Sequence, residues 1–211
     1  MKYAISPTSA LFLSLFIIFL HEDIPGSEIE RIVEKSKQLY EDSSDWRMHF
    51  RERTSSDFFS KTDSTRGEIL VKKPDRFVLR EERQEIIYDG ETLWIYDKRN
   101  NQVIKSGGYS GRPFDPGEFL RWLYDDYKLV GSEEVGEQDC YMISVDSLPE
   151  MGISSIMLWV DKENQYVRKL TYRDGVDNQV EFLFDSIEFN VGLNEKEFQF
   201  AIPPEAELID W

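Results

Sequence analysis

The side chains best suited to acid–base, nucleophilic or metal chemistry are scarce in this sequence. It has two histidines, His21 and His49, and a single cysteine, Cys140. His49 falls between Met48 and Phe50 in an alternating stretch, so we expect an exposed strand residue there and not a catalytic base. Cys140 cannot form an internal disulfide and has no histidine near it in the sequence, so we expect a buried, inert thiol.

The familiar motifs of catalysis and nucleotide binding are also missing from the sequence. The stretch "GGYSG" at residues 107–111 lacks the G-x-S-x-G spacing of a nucleophile elbow, and there is no P-loop or dinucleotide-binding glycine pattern. Cysteine and histidine do not cluster at metal-ligand spacing. Carboxylates are abundant but scattered, so a hydrolase whose acidic residues meet in the fold stays open as an enzymatic alternative. We expect a protein that is not an enzyme and that needs neither cofactor nor metal.

Composition restricts the partners of the chain. Its 211 residues include 41 acidic and 25 basic side chains, a formal charge of −16, and 14% of them are aromatic. The length and the aromatic content suit one folded domain. The acidity argues against binding nucleic acid, because the phosphate backbone attracts Lys and Arg. It argues equally against simple electrostatic docking to an anionic membrane.

Residues 1–26 have the pattern of an export signal. Lys2 is the only charge before the apolar run "ALFLSLFIIFL" at residues 10–20, which is too short to cross a bilayer comfortably but suits the central region of a secretory signal. Gly26 is the best small residue before a cleavage site. No Ala-x-Ala pattern is present, so an uncleaved anchor remains the alternative. We expect a signal peptide over 1–26 and one domain over 27–211.

One helix is predicted at the start of that domain. Ser27 and Glu30 form a capping box, in which each side chain bonds the backbone amide of the other residue. The helix should run to about Asp42 and needs an apolar surface to lie on. Its apolar face consists of Ile29, Ile32, Val33, Ser36, Leu39 and Tyr40.

The rest of the chain is predicted to be almost entirely β-strand. Short alternating stretches such as "WRMHFRER" are joined by turn signals, among them Asp89-Gly90, Asn100-Asn101 and Asp174-Gly175. Strands at a spacing of about ten residues, without strand–helix alternation, predict an antiparallel meander that curls into a barrel or half-barrel. One stretch, Leu93-Trp94-Ile95-Tyr96, has no polar residue to mark a solvent face, so both of its faces need cover.

Apolar positions on these strands define a candidate interior. Either the barrel closes on its own core, or it stays open around an apolar ligand. The residues predicted to face this interior are Phe50, Ile69, Val71, Phe77, Leu79, Ile86, Leu158, Val160, Phe182 and Phe184.

The last long strand changes phase along its length. Alternate residues from Val180 to Phe184 are apolar and share one face, whereas Ile187 and Phe189 fall on the opposite face. Because a slip of one residue reverses every side chain, we predict a bulge or bend near Asp185-Ser186.

Residues 106–127 interrupt the meander. The segment begins with three glycines at 107, 108 and 111, and Asp115 can then cap a short helix. A loose start followed by an apolar helix fits a lid over an apolar cavity, and it fits equally an ordinary connecting helix packed on the sheet. The apolar side of this helix includes Phe119, Leu120 and Leu123.

Four segments carry a family resemblance by their order and spacing after a signal and one helix. They are "GEILVKKPDRFVL" (67–79), "YDGETLWIYDKRNNQV" (88–103), "LWVDKENQYVRKLTYRDGVDNQVEFLFDSIEFN" (158–190) and "FQFAIPPEAELI" (198–209). Through them the chain resembles, from about Ile29 to Ile209, the periplasmic outer-membrane lipoprotein carrier proteins of the LolA type.

The resemblance implies a mainly β fold, an unclosed antiparallel β-barrel with an N-terminal helix and a short helical lid. It implies a monomer in the periplasm whose cavity holds the acyl chains of lipoproteins, taken from an inner-membrane ABC transporter and passed to an outer-membrane receptor. The interior residues named above would then bind acyl chains, and the helix with Phe119, Leu120 and Leu123 would be the lid.

One position departs from the pattern of that family. A "Lys-Arg-Pro" at the end of one strand corresponds here to Lys72-Lys73-Pro74. The family's arginine ties the lid in its closed state, so the resemblance gives Lys73 the role of lid latch. Lysine offers one compact charge where arginine offers a planar fork of donors, which implies a looser latch.

Other functions fit the same sequence. The outer-membrane receptor of the pathway would be expected to carry a lipidated cysteine after its signal, and none follows the apolar run. A single-domain lipid-binding or lipid-sensing protein of the same fold is allowed. A scaffolding β protein with a filled core is the remaining alternative, and it predicts no apolar cavity and no exposed lid.

Overall fold

The computed structural model describes residues 27–56, 61–107, 127–148 and 152–210. One helix, α1 (Glu28–Asp42), precedes the strands, and a short 3-10 turn (Glu195–Phe198) precedes the last of them. The strands are β1 (Asp45–Ser56), β2 (Lys61–Lys72), β3 (Arg76–Glu81), β4 (Gln84–Tyr88), β5 (Thr92–Asp97), β6 (Gln102–Gly107), β7 (Tyr127–Val135), β8 (Gln138–Leu148), β9 (Ile153–Asp161), β10 (Val167–Arg173), β11 (Gln179–Phe189) and β12 (Glu207–Asp210).

All of these strands belong to one twelve-stranded sheet, ordered β12-β6-β5-β4-β3-β2-β1-β11-β10-β9-β8-β7. The two edge strands are not paired with each other, so the sheet is an unclosed half-barrel, which confirms the predicted fold class. Every pair is antiparallel except β12 with β6, which is parallel. That pair differs from the expected meander because the end of the chain reaches β6 after a long connection. Neither β7 nor β12 was predicted from the sequence.

Helix α1 begins and ends where the sequence predicts. The Ser27 amide donates to Glu30 Oε2 at 2.7 Å, and the Glu30 amide donates to Ser27 Oγ at 3.3 Å, which completes the capping box. The helix ends at Asp42, before extended backbone at Ser43. Its buried residues are Ile32, Val33, Ser36 and Tyr40. The amphipathic face is therefore confirmed.

We call the face of the sheet on which α1 lies the inner face. Alternate residues of β1, Trp46, Met48 and Phe50, are buried there with the apolar side of α1 in the main core cluster. His49, between them, is exposed on the other side. The period of two in "WRMHFRER" thus places its apolar set as expected.

The opposite, outer face is covered by the C-terminal segment. Leu70, Val78 and Ile87 of β2, β3 and β4 form a second core cluster with Leu193 and Phe198. Central strands buried on both faces need no polar alternation.

The uninterrupted apolar stretch of β5 is explained by the same cover. Leu93 and Ile95 face inward, where Leu93 packs against the main core. Trp94 and Tyr96 face outward, and the rings of both lie near that of Phe200, with centroids 5.3 and 6.2 Å away. Both faces of the strand are therefore covered, one by the inner core and one by the end of the chain.

The C-terminal segment is fixed at its start by polar contacts. The buried carboxylate of Asp45 accepts the amides of Gly192 and Leu193, both at 3.1 Å. Lys72 Nζ donates to the Leu193 carbonyl at 2.6 Å and lies 2.8 Å from a Glu195 oxygen. These contacts join the segment to β1 and β2.

The predicted bulge in β11 is present. His49 pairs with Ser186, but the next residue of β1, Phe50, pairs with Phe184, so Asp185 is the extra residue. The bulge lets Phe184 and Ile187 both pack against the inner core. A regular strand would have placed one of them on the outer face.

Two predictions lie outside the described residues. They are the signal peptide over 1–26 and the lid helix with Phe119, Leu120 and Leu123. In the part of the chain that is described, no helix is long and apolar enough to cross a membrane.

Candidate functional site

The residues best suited to catalysis or metal binding are not brought together. His49 is exposed on the outer side of β1, and Cys140 is completely buried between strands. Burial raises the pKa of the Cys140 thiol to about 11, so it stays protonated at neutral pH. Among the described residues, no group of three or more His, Cys, Asp or Glu side chains is arranged to hold a metal ion.

The structure does bring the predicted interior residues together on the inner face. Leu79 and Ile86 are half-buried at the edge of this set and pack against it. The others are buried in one continuous cluster with α1: Phe50, Ile69, Val71, Phe77, Leu158, Val160, Phe182 and Phe184. The period-two patterns of separate strands therefore identified one surface.

A straight row of apolar side chains crosses half of this surface. Each member is the register partner of the next across β1 to β6. We call it the apolar row, and it consists of Met48, Ile69, Leu79, Ile86, Ile95 and Ile104. Because the partners are directly opposite, their side chains form a continuous apolar band.

The next inward-facing positions, two residues further along the strands, are polar on β3 to β6. We call these residues, Glu81, Gln84, Asp97 and Gln102, the polar row. At the level of Glu81, β2 has Gly67 and β1 has Phe50, and the next inward-facing residue of β1 is Glu52, which pairs with Thr65. The inner face thus changes from apolar to polar within about 7 Å, the length of two strand residues.

The main cavity lies at the polar end of the inner face, away from α1. Its volume is about 1030 Å³, and the polar row, Glu52 and Thr65 line it together with Ile95 and Ile104 of the apolar row. None of the predicted acyl-binding residues is among its described lining. These polar residues were not predicted from the sequence, because only the strand register shows that they lie side by side across the sheet.

The carboxylates of Glu52, Glu81 and Asp97 give the inward-facing wall of this cavity a negative character. Burial raises the pKa of Glu81 and the nearby charge of Glu52 adds to the shift, whereas a hydrogen bond from Gln84 opposes it. The amides of Asn100 and Arg99 hold the pKa of Asp97 below its usual range, so Asp97 is ionised at neutral pH.

Lys73 joins the inner core to the end of α1. Its ammonium group donates to the carbonyls of Tyr40 (2.9 Å) and Glu41 at the C-terminus of the helix. It also lies 5.9 Å from the centre of the Trp46 ring. Helix α1 has no basic residue in its own last turn. Lys73 therefore supplies the positive charge that a helix C-terminus favours.

Within the described part of the chain, two buried polar atoms in the interface between α1 and the sheet lack hydrogen-bond partners. Ser36 Oγ and Trp46 Nε1 are buried and have no hydrogen-bond partner among the residues that the structure describes. An unsatisfied buried polar group costs about 1–3 kcal/mol, so α1 is held less tightly than its apolar contacts suggest.

Comparison with known proteins agrees with this geometry. A family model described as "Outer membrane lipoprotein carrier protein LolA" matches residues 43–201. An outer-membrane lipoprotein carrier protein of Methylobacillus flagellatus is 21% identical over 94% of this chain and 98% of its own length. An uncharacterized protein of Methanocaldococcus jannaschii is 24% identical over 94% of this chain, which spans only 60% of that protein.

A solved structure shows the same fold. A crystal structure of an uncharacterized conserved protein from Thermus thermophilus superimposes with a TM-score of 0.59 at 11% identity, covering 87% of this chain and 99% of the other. The family match extends from the end of α1 to the C-terminal segment and contains both rows of the inner face. The chain belongs to the LolA family of outer-membrane lipoprotein carrier proteins.

Proposed function

We propose that this protein is a periplasmic carrier that binds the acyl chains of lipoproteins and moves them from the inner to the outer membrane. The observation that carries the proposal is the continuous apolar inner face, against which the apolar side of one amphipathic helix packs. The ten interior residues predicted from the sequence are the proposed acyl-binding surface.

Helix α1 is proposed to act as a movable cover for this surface. Eight of the ten predicted binding residues are buried in the same core cluster as the apolar side of α1, Phe50 to 1% and Phe184 to 0% exposure, so acyl chains need the cover of this core to move. Two unsatisfied polar atoms, on Ser36 and Trp46, lower the cost of that movement. Lys73 opposes it from the C-terminal end and is the proposed latch. The segment with Phe119, Leu120 and Leu123 is proposed to complete the cover.

The physics of the cargo determines how transfer must occur. Exposing one buried methylene to water costs about 0.8 kcal/mol, so two or three acyl chains represent on the order of tens of kcal/mol. Such a cargo cannot be released into solvent. The proposed partners, an inner-membrane ABC transporter and an outer-membrane receptor, would therefore dock with their apolar surfaces sealed against the open side of the half-barrel, with the carrier as a monomer exported by its signal peptide.

The direct test is native mass spectrometry of the protein purified from the envelope of its own host, with analysis of whatever co-purifies. An acylated protein bound one to one is the expected result. Phospholipid alone would favour the second candidate, a lipid-binding or lipid-sensing protein that uses the same face. An empty protein that also fails to bind a hydrophobic dye would contradict both and indicate a filled core.

A further inference from the structure

The polar row, which the predicted acyl-binding surface does not include, runs beside the apolar row, two residues further along the strands. Ile95 and Ile104 of the apolar row also line the main cavity. An amphiphile whose chains lie on the apolar row would therefore have Glu81, Gln84 and Asp97 beside it on the cavity side. A cavity of about 1030 Å³ leaves room at this point for a polar group of considerable size.

The side chains of the polar row are acidic or uncharged. Its members are carboxylates and amides, without lysine or arginine, and Glu52 adds a further carboxylate beside it. The basic residues of the cavity, Lys61, Arg83 and Arg99, belong to the outer ends of strands and turns. The inward-facing groups beside the apolar row are therefore carboxylates and amides with a net negative charge.

The carboxylate hydrogen bonds of Glu52 and Glu81 come from uncharged side chains. Glu81 accepts a hydrogen bond from Gln84 Nε2 at 3.2 Å, and Glu52 accepts one from Thr54 Oγ1 at 3.0 Å. Among the described residues, no basic side chain forms a salt bridge with Glu52 or Glu81. Burial raises the pKa of Glu81 and the charge of Glu52 adds to the shift, although the hydrogen bond from Gln84 and the charges of Arg83 and Lys98 oppose it.

We propose that the polar row and Glu52 select acylated cargo whose group next to the chains is an uncharged hydrogen-bond donor, such as the amides of a lipopeptide, over cargo with an anionic phosphate there. The inference rests on the proposed function, since it assumes acyl chains on the inner face. A donor would satisfy the free acceptor capacity of the carboxylates. A phosphate would meet like charge in a partly buried site, where repulsion is stronger than in water.

The test compares ligands with identical acyl chains. The purified protein is titrated with a dipalmitoyl-glyceryl-cysteinyl peptide, dipalmitoyl phosphatidylglycerol and an uncharged dipalmitoyl glycolipid, each by displacement of a hydrophobic dye. We expect the lipopeptide to bind at least about tenfold more tightly than phosphatidylglycerol, as one like-charge contact in a partly buried site would produce. Glycolipid binding equal to that of the lipopeptide would show that hydrogen-bond donors in general suffice, and weaker binding would show that peptide amides are recognised; both support the proposal.

A double variant identifies the residues responsible. Glu52→Gln with Glu81→Gln keeps the shape and the existing hydrogen bonds, and we expect it to bind phosphatidylglycerol about tenfold more tightly, so that the preference is lost. The control is Glu134→Gln with Glu188→Gln, which changes the net charge equally at exposed positions outside the cavity.

The outcomes separate this inference from the proposed function. Equal binding of lipopeptide and phosphatidylglycerol by the unaltered protein, or an equal loss of preference in the control, would overturn the inference and leave the carrier function standing. Failure to bind any of the three ligands would overturn the proposed function, and the inference with it.

Discussion

The indole of Trp94 stacks on the ring of Phe200, with centroids 5.3 Å apart and planes inclined by 28°. The two residues are far apart in the sequence, and their contact places the end of the chain on the outer face of the sheet. Phe198 is 1% exposed in the same segment. The half-barrel therefore has a hydrophobic core on each face of the sheet, and both cores contribute to its stability.

Truncation of Phe200 should reveal the contribution of this outer core. Phe200→Ala is expected to lower the free energy of unfolding by about 2 kcal/mol, because it removes a half-buried ring and an aromatic pair. Urea denaturation followed by tryptophan fluorescence measures the change. Ile202→Ala, at a position 46% exposed in the same segment, should change stability by less than about 0.5 kcal/mol. Equal effects of the two substitutions would show that the outer cover is not a core.

A side chain at Gly67 should destabilise the protein. A Cβ there would lie 2.6 Å from the Phe50 ring and 2.5 Å from the Arg80 carbonyl oxygen, so both the ring and the backbone of β3 must shift. We expect Gly67→Ala to lower the free energy of unfolding by about 1–3 kcal/mol, the usual cost of overpacking. At Gly107 a Cβ would meet nothing within 4 Å, which makes Gly107→Ala the matched control. A neutral Gly67→Ala would mean that the Phe50 ring and the β2–β3 pairing both adjust without cost.

Removal of the hydroxyl of Ser36 should stabilise the protein. The Oγ atom is buried and has no partner in the described part of the chain, so Ser36→Ala removes a desolvation penalty. The expected gain is about 1 kcal/mol in the free energy of unfolding beyond that of Lys35→Ala, an exposed position of α1 that controls for helix propensity. If Ser36→Ala destabilises, the hydroxyl has a partner that stabilises the helix.

Local patterns in the sequence predicted much of this fold, and long-range relationships account for what was missed. The capping box of Ser27 and Glu30 and the phase change around Asp185 depend on neighbouring residues, and both predictions are confirmed. The cover over Trp94 could not be predicted, because Phe200 follows a 3-10 turn without periodicity and meets Trp94 only in the fold.

The candidate site shows the same division. The apolar residues of the inner face follow from alternation within each strand. The alignment of Glu81 with Gln84, Asp97 and Gln102 depends on the register of four strands, which turn lengths determine only approximately. The polar row therefore became visible only with the fold.

The thiol of Cys140 should be almost unreactive in the folded protein. Its pKa is raised from 9.0 to about 11, so at pH 8 the fraction present as thiolate is about one hundredth of that in the unfolded chain. Labelling with a chromogenic disulfide reagent at pH 8 should be slower by at least this factor in buffer than in denaturant. Raising the pH from 8 towards 11 should increase the native rate, because the thiolate fraction grows. Fast native labelling at pH 8 would mean that the β8–β9 region opens readily.

The contact of Lys73 with α1 should control how readily the helix leaves the inner face. Lys73→Ala removes the donor to the Tyr40 and Glu41 carbonyls, and we expect faster hydrogen exchange at the C-terminal amides of α1 together with faster release of a bound dye. Lys73→Arg should slow both processes, because a guanidinium group offers more donors to the same carbonyls. Mass-spectrometric hydrogen exchange follows the helix directly and does not depend on the identity of the cargo.

The neighbouring lysine provides the matched control for this prediction. Lys72 makes comparable contacts, with the Leu193 carbonyl and Glu195, but on the C-terminal segment of the outer face. Lys72→Ala should therefore lower stability by about 1–2 kcal/mol, as the loss of a charged hydrogen bond does, without increasing exchange in α1 or dye release. If the two substitutions loosen α1 equally, the helix responds to overall stability and Lys73 is not a latch. If only Lys73→Ala loosens α1, the ammonium group of Lys73 at the C-terminus of the helix controls how readily α1 leaves the inner face.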